Sequence, residues 1–123
     1  MNKVILMGRL VRDPETRTAK DSTVCNFTLA VDRRFKNASG ERQADFINCV
    51  AWRQTGEFVS KYFIKGSMVA VVGNIQTSTW EKDGVKQYKT DVNVDEAYFT
   101  GEKKESNNGG FVKTESTMLP FDV

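Results

Sequence analysis

Within one short stretch, residues 24–52, the cations Arg33, Arg34, Lys36 and Arg42 gather with the aromatic rings of Phe35, Phe46 and Trp52. Guanidinium and ammonium groups neutralise phosphates, and flat rings offer faces on which unstacked bases rest. Interleaved, the two residue types supply the chemistry that a single-stranded nucleic acid requires. Arg53 adds a cation directly after Trp52. Further along, Trp80 ends a strand among the polar neighbours Gln76, Ser78, Thr79 and Glu81.

Residues for catalysis are sparse. The chain has no histidine, so the commonest general base is missing. Its two cysteines, Cys25 and Cys49, sit inside apolar runs and read as buried thiols of a reducing compartment. Two cysteines without a histidine cannot complete a four-ligand zinc site within the chain. Asp91, Asp95 and Glu96 are the only carboxylates close enough in sequence to suggest a metal cluster. On an extended strand Asp91 and Asp95 would stand roughly 13 Å apart, too far to share one ion. No catalytic residue, metal or cofactor is expected, and the chain reads as a binding module rather than a nuclease.

With 123 residues, 39% of them hydrophobic, the chain can build one small core. Its net charge is only +2, but residues 105–123 hold three acids and one lysine, so the preceding body is the more basic part. That distribution puts an electrostatic footprint on the body. No apolar run has the length of a signal peptide or a membrane span, which predicts a cytoplasmic protein with no membrane partner.

The elements that must position these groups follow from periodicity. Phe27, Leu29 and Val31 share one face of a first alternating run. Ile47, Cys49 and Ala51 share one face of a second, and Phe46, Val50 and Trp52 share the other. Residues 37–41, with Gly40, join the two runs as a hairpin. Residues 3–11 predict an earlier strand, with Gly8 at a bulge or a close backbone approach. Asp13-Pro14 turns the chain, and residues 16–23 read as a polar loop carrying Arg17 and Lys20. Over residues 55–64 the period becomes helical, with Phe58, Val59, Tyr62 and Phe63 on one stripe. Thr55 is the expected N-cap, Glu57 falls in the first turn, Lys61 and Lys65 lie near the end, and Gly66 stops the helix. A strand then opens with residues 68–72, breaks at Gly73 and continues to Trp80. Lys82-Asp83-Gly84 turns it into a last strand, where Tyr88, Thr90, Val92 and Val94 alternate. Phe27 and Tyr88 are read as core. The order predicts an all-β, five-stranded Greek-key barrel with one helix between strands 3 and 4. This is the OB-fold, which commonly binds oligonucleotides.

Residues 1–100 make up this barrel. Residues 101–117 become charged and then rich in Ser, Asn and Gly, a composition that predicts a flexible, disordered linker. Residues 118–123 turn apolar again, and Leu119, Pro120 and Phe121 suit a short peptide that docks on another protein.

The chain resembles the bacterial-type single-stranded DNA-binding proteins of bacteria, phages and mobile elements. The resemblance rests on Met1-Asn2-Lys3-Val4-Ile5-Leu6 with Gly8-Arg9-Leu10, then Arg12-Asp13-Pro14-Glu15 and Asn26-Phe27-Thr28-Leu29-Ala30-Val31. It continues through Asp45-Phe46-Ile47-Asn48-Cys49-Val50-Ala51-Trp52, Lys65-Gly66-Ser67 and the run from Gly73 to Trp80. It implies a homotetramer, associated with the nucleoid, that sheathes single-stranded DNA in replication, recombination and repair. It also implies recruitment of replication and repair enzymes through the C-terminal tip. Members stack bases on four aromatic positions, which fall here on Phe35, Phe46, Trp52 and Trp80, with Arg33, Arg34, Lys36 and Arg53 as the phosphate contacts. Three departures stand out. Gln76 and Ser78 replace arginines common in relatives, and Phe35 and Phe46 stand where some relatives have tryptophan. The tip lacks the family's run of aspartates and continues past Phe121 with Asp122-Val123. An adaptor that uses the same fold mainly for protein contacts is the alternative; weak DNA binding with tight helicase or primase binding would mark it.

Overall fold

A computed structural model describes residues 1–101 of the chain. The linker residues beyond Gly101 and the tip Leu119, Pro120 and Phe121 lie outside the described residues. Six strands and one helix follow in order: β1 (Val4–Leu10), β2 (Glu15–Ala19), β3 (Ser22–Lys36), β4 (Arg42–Trp52), α1 (Arg53–Tyr62), β5 (Met68–Lys82) and β6 (Val85–Phe99). The strands form one sheet in the order β1-β5-β6-β4-β3-β2. It closes on itself where Arg9 and Leu10 of β1 pair with Ala30 and Leu29 of β3. All ladders are antiparallel except β4–β6, which runs parallel through Cys49–Ala51 and Val92–Val94. The closed sheet with its single helix is consistent with the expected OB-fold.

The core lies inside the ring of strands. Leu10, Phe27, Leu29, Cys49, Ala51, Val69, Val71, Val92 and Val94 are buried there. They are the inward half of each alternating run, as a period of two requires. Val59 and Phe63 of the helix stripe are buried with them. Phe58 packs its ring edgewise on Phe63 and Phe99. Both cysteines are buried and free. Burial, and secondarily the charge of Asp91, pushes the Cys49 thiol up to about 12, so it stays a neutral apolar filler.

Two glycines permit the close approaches that closure needs. A Cβ on Gly8 would stand 2.6 Å from the Ala30 carbonyl oxygen, where β1 crosses β3. At Gly73 it would meet the Asn93 carbonyl oxygen at 2.1 Å. The β5–β6 register shifts at this point, from Val72 opposite Glu96 to Gly73 opposite Val94, and this bulge bends the ladder.

The structure corrects three expectations. Residues 16–23 are not a loop: Glu15–Ala19 is a strand, paired with Ser22–Asn26 of β3. Lys20 and Asp21 turn the chain with φ of 51° and 65°, the positive values a tight two-residue hairpin needs. β2 is an exposed edge of Thr and Arg residues, so it carries no apolar alternation to read. The barrel therefore has one strand segment more than the five expected. The helix begins at Arg53, two residues before Thr55. Trp52 occupies the N-cap and supplies no side-chain cap, while the Thr55 hydroxyl instead donates to the Asp95 carbonyl at 3.4 Å. Lastly, Tyr88 is not core but 72% exposed. β5 and β6 run past the end of the barrel as a two-stranded arm, and no opposite layer covers their inward-parity face there.

Candidate nucleic-acid interface

Phe46 and Trp52 sit on even positions of β4, the face opposite Ile47, Cys49 and Ala51. Their cross-strand partners on β3 are Ala30 and Val24. Val50, on the same face, lies beside Asn93 of β6. The ladder then runs without interruption from Asn93 to Gln87, and Gln87 pairs with Trp80. Because paired residues share a face, three of the four expected aromatic positions lie on one outer face of the sheet. They are 67% (Phe46), 44% (Trp52) and 46% (Trp80) exposed. Among the described residues none of the three rings packs on another ring. Phe46 and Trp52 stand about 20 Å apart along β4, six residues at ~3.3 Å each. The platform is therefore a row of separated rings with polar ground between them.

Phe35 lies within the irregularity that separates Asp32 from Lys36 in the β3–β4 ladder. It projects from the hairpin tip, with the Arg34 guanidinium 5.3 Å from its ring centre, a cation–π contact. Side-chain hydrogen bonds tie the turn at the tip together. The Asn37 side-chain oxygen accepts from the backbone N–H groups of Ser39 at 3.0 Å and Glu41 at 2.9 Å. Lys36 is exposed and pairs across the ladder with Arg42, while Arg42 donates to the Arg33 carbonyl oxygen at 3.1 Å.

Arg33 is engaged differently from its neighbours. Its guanidinium donates to both oxygens of Asp45 and to Gln43 Oε1. Hydrogen bonding to Arg33 holds the Asp45 carboxyl below its ordinary range, and the same bonds push Arg33 up. Arg33 therefore lies at the expected place but is already paired. Arg53 follows Trp52 with a left-handed backbone, φ 55°, and donates to Ser22 Oγ at 3.4 Å. It lines an open cleft of about 540 Å³ together with Trp52, Thr23 and Glu57.

On the β5–β6 arm, Gln76, Ser78 and Trp80 share the outer face, and Lys89 stands opposite Ser78. Lys89 thus places a cation near Gln76 and Ser78, paired at 3.6 Å with Asp91, which stands opposite Gln76. Nothing in the linear sequence marks it. Counting the ladder outward from the Lys82-Asp83-Gly84 turn would have found it. Tyr88 projects from the arm's other face, opposite Thr79. Among the described residues no three of His, Cys, Asp or Glu gather as a metal site. No helix of the described residues is long and apolar enough to cross a membrane.

The sequence model described as the Single-strand binding protein family matches residues 1–100. The chain belongs to that family. It is 52% identical over 97 residues to "Single-stranded DNA-binding protein 1" of Lactococcus lactis subsp. lactis (strain IL1403), a match covering 77% of this chain and 65% of that protein. It is 48% identical over 112 residues to "Single-stranded DNA-binding protein" of Bacillus cereus, covering 89% of this chain and 64% of that protein. It is 45% identical over 112 residues to "Single-stranded DNA-binding protein 1" of Staphylococcus aureus (strain COL), covering 89% and 67%. The chain spans about two thirds of the length of the curated relatives it matches. The family match ends within a residue of the last described position, so family and described fold coincide.

Proposed function

We propose that this protein binds single-stranded DNA, as its relatives' names say of them, that it does so with little regard to sequence, and that it sheathes the strand in replication, recombination and repair. The observation that carries this reading is the placement of Phe46, Trp52 and Trp80 on one continuous outer face, exposed and free of other rings. Phe35 extends the row at the hairpin tip. Arg34, Lys36 and Arg53 serve the phosphates, and Arg33 and Lys89 do so only when they leave Asp45 and Asp91. Stacking accepts any base face, so selectivity falls between single and double strands rather than among sequences. The activity is binding, not cleavage.

The protein acts as a homo-oligomer, most simply a tetramer, in the cytoplasm on nucleoid DNA. Ile5 and Met7 of β1 are exposed apolar side chains, and residues 4–8 have no strand partner on their second edge among the described residues. The tip Leu119, Pro120 and Phe121 docks weakly and salt-sensitively on replication or repair enzymes. A peptide of residues 115–123 should bind such an enzyme better than its Phe121→Ala form; equal binding of the two would remove this part of the reading.

Titration with oligo(dT), followed by tryptophan fluorescence at several salt concentrations, tests the whole. Trp52 and Trp80 should be quenched, and affinity should fall with a log–log salt slope of about −0.7 per neutralised phosphate. Absence of quenching together with a flat salt response would overturn the reading.

A further inference from the structure

Between Phe46 and Trp52 the outer face is not aromatic. It dips into a groove of about 190 Å³ whose polar lining is Arg12, Glu15, Asn26, Thr28, Asn48, Lys89 and Asp91. A relay of hydrogen bonds orders its floor. Arg12 Nη2 donates to Thr28 Oγ1 at 3.3 Å, and the Thr28 hydroxyl donates onward to Asn48 Oδ1 at 3.2 Å. A hydroxyl has one proton to give, and this arrangement gives it to Asn48. The Asn48 oxygen is thereby turned inward. Its NH₂ group is left facing out, with no partner among the described residues.

An acceptor stands beside that donor. Asn26 lines the same groove, and its side chain makes no hydrogen bond among the described residues. Asp91 is spoken for: one oxygen lies 3.6 Å from the Lys89 ammonium, and the other is buried beneath the groove without a partner. The Lys89 charge offsets the carboxylate that would otherwise repel a phosphate chain. A stacking platform needs no such pair of oriented donor and acceptor, and a phosphate site would not include the carboxylates of Glu15 and Asp91 beside a free amide oxygen.

We infer that this groove receives the Watson–Crick edge of one unpaired base, with the Asn48 NH₂ donating to a ring carbonyl or ring nitrogen and the Asn26 side-chain oxygen accepting a base N–H. The inference rests on the proposed DNA binding and deepens it. Every base presents at least one adjacent donor and acceptor on that edge, so the groove takes any of them. In a duplex the same edge is occupied by the complementary base. The groove thus senses pairing itself, independently of the stacking rings.

Oligo(dT) and an oligomer of N3-methylthymidine separate the two modes. The methyl group blocks the edge but leaves the phosphates and the π faces. The full chain should bind the methylated oligomer about fivefold more weakly than oligo(dT), the worth of one or two lost hydrogen bonds. Asn48→Ala should remove that ratio by weakening oligo(dT) alone. Asn48→Asp keeps an acceptor for Thr28, and so protects the fold, but it replaces the donor; it should lose at least as much on oligo(dT). Trp80→Ala should weaken both oligomers alike. Equal wild-type affinity for the two oligomers, with tryptophan quenching intact, would overturn the groove's role and leave DNA binding standing. So would an Asn48→Ala loss shared equally by both, which would assign the groove to sugar or phosphate. Loss of all binding and quenching in the wild type would instead sink the broader reading.

Discussion

Arg33 Nη2 donates to Asp45 Oδ1 at 2.8 Å, one residue before Phe46, so a hairpin-tip cation and an acid neutralise each other at the edge of the stacking face. Both side chains are about half exposed, and such pairs add little to stability. Their effect on a polyanion is larger, because a paired guanidinium releases fewer counterions than a free one.

Asp45→Asn should therefore strengthen binding to single-stranded DNA and steepen its salt slope by about 0.7, the increment for one additional phosphate contact. Arg34→Ala should flatten the slope more than Arg33→Ala does. The pH dependence has a definite sign. The folded Asp45 carboxyl lies below its unfolded value, so the pair is intact above the unfolded value and is lost only as pH falls through the lower folded one. Near neutral pH this pair should contribute no pH dependence to binding. Titrations between pH 6 and pH 8, as a chosen window, check that, and an Asp45→Asn slope equal to wild type would count against the account.

Trp80→Ala should cost about 1–3 kcal/mol of binding, the usual worth of one stacked base, and should remove part of the fluorescence quenching. Trp52→Ala should cost a similar amount. Its effect on folding should be small, because Trp52 caps the helix with backbone geometry and not with its side chain. Parallel fluorescence titrations and thermal melts separate the two effects. Unchanged affinity in Trp80→Ala would return that ring to idle surface.

Gly73→Ala should destabilise the barrel by about 1–3 kcal/mol, as other overpacking changes do. The new methyl would stand 2.1 Å from a backbone oxygen that cannot swing away as a side chain would. Urea unfolding gives the number, and a variant as stable as wild type would mean that the bulge can relax.

Ile5→Asp, alone or with Met7→Glu, should lower the oligomeric mass without unfolding the chain, because both side chains already face solvent within one protomer. Equilibrium sedimentation measures it. A wild-type mass equal to one chain of 13.9 kDa would exclude the assembly outright.

The sequence made most of the fold legible wherever one face of an element is covered. Phe27, Leu29, Cys49 and Val92 announce their strands because they are buried in the core and polar residues such as Thr28, Asn48 and Asn93 stand between or beside them. β2 meets water on both faces and so leaves no pattern. The helix start stayed hidden because Trp52 caps it without a hydrogen-bonding side chain, whereas Thr55 resembles a cap and is not one. Tyr88 shows the limit most clearly. Its parity with Thr90, Val92 and Val94 is real, but parity names a face and does not say whether anything lies against it. Of the proposed site, the rings Phe35, Phe46, Trp52 and Trp80 are legible from residue type and resemblance. Lys89 and Asn48 are not, because the parts proposed for them depend on which residue lies opposite.

The pairing of β1 also bears on how the chain reaches this shape. Its long ladder is with β5, Val4 opposite Gly73 through Arg9 opposite Met68, and its second seam is only two residues wide. The first strand synthesised thus waits for one of the last before it finds most of its backbone partners. Loop closure over that span must precede the contacts that reward it, which slows folding in proteins dominated by non-local pairing. On a ribosome, the β3–β4 hairpin and the helix can assemble while β1, with Ile5 and Met7, remains unpaired. Closure of this barrel is therefore a late event in the life of each nascent chain.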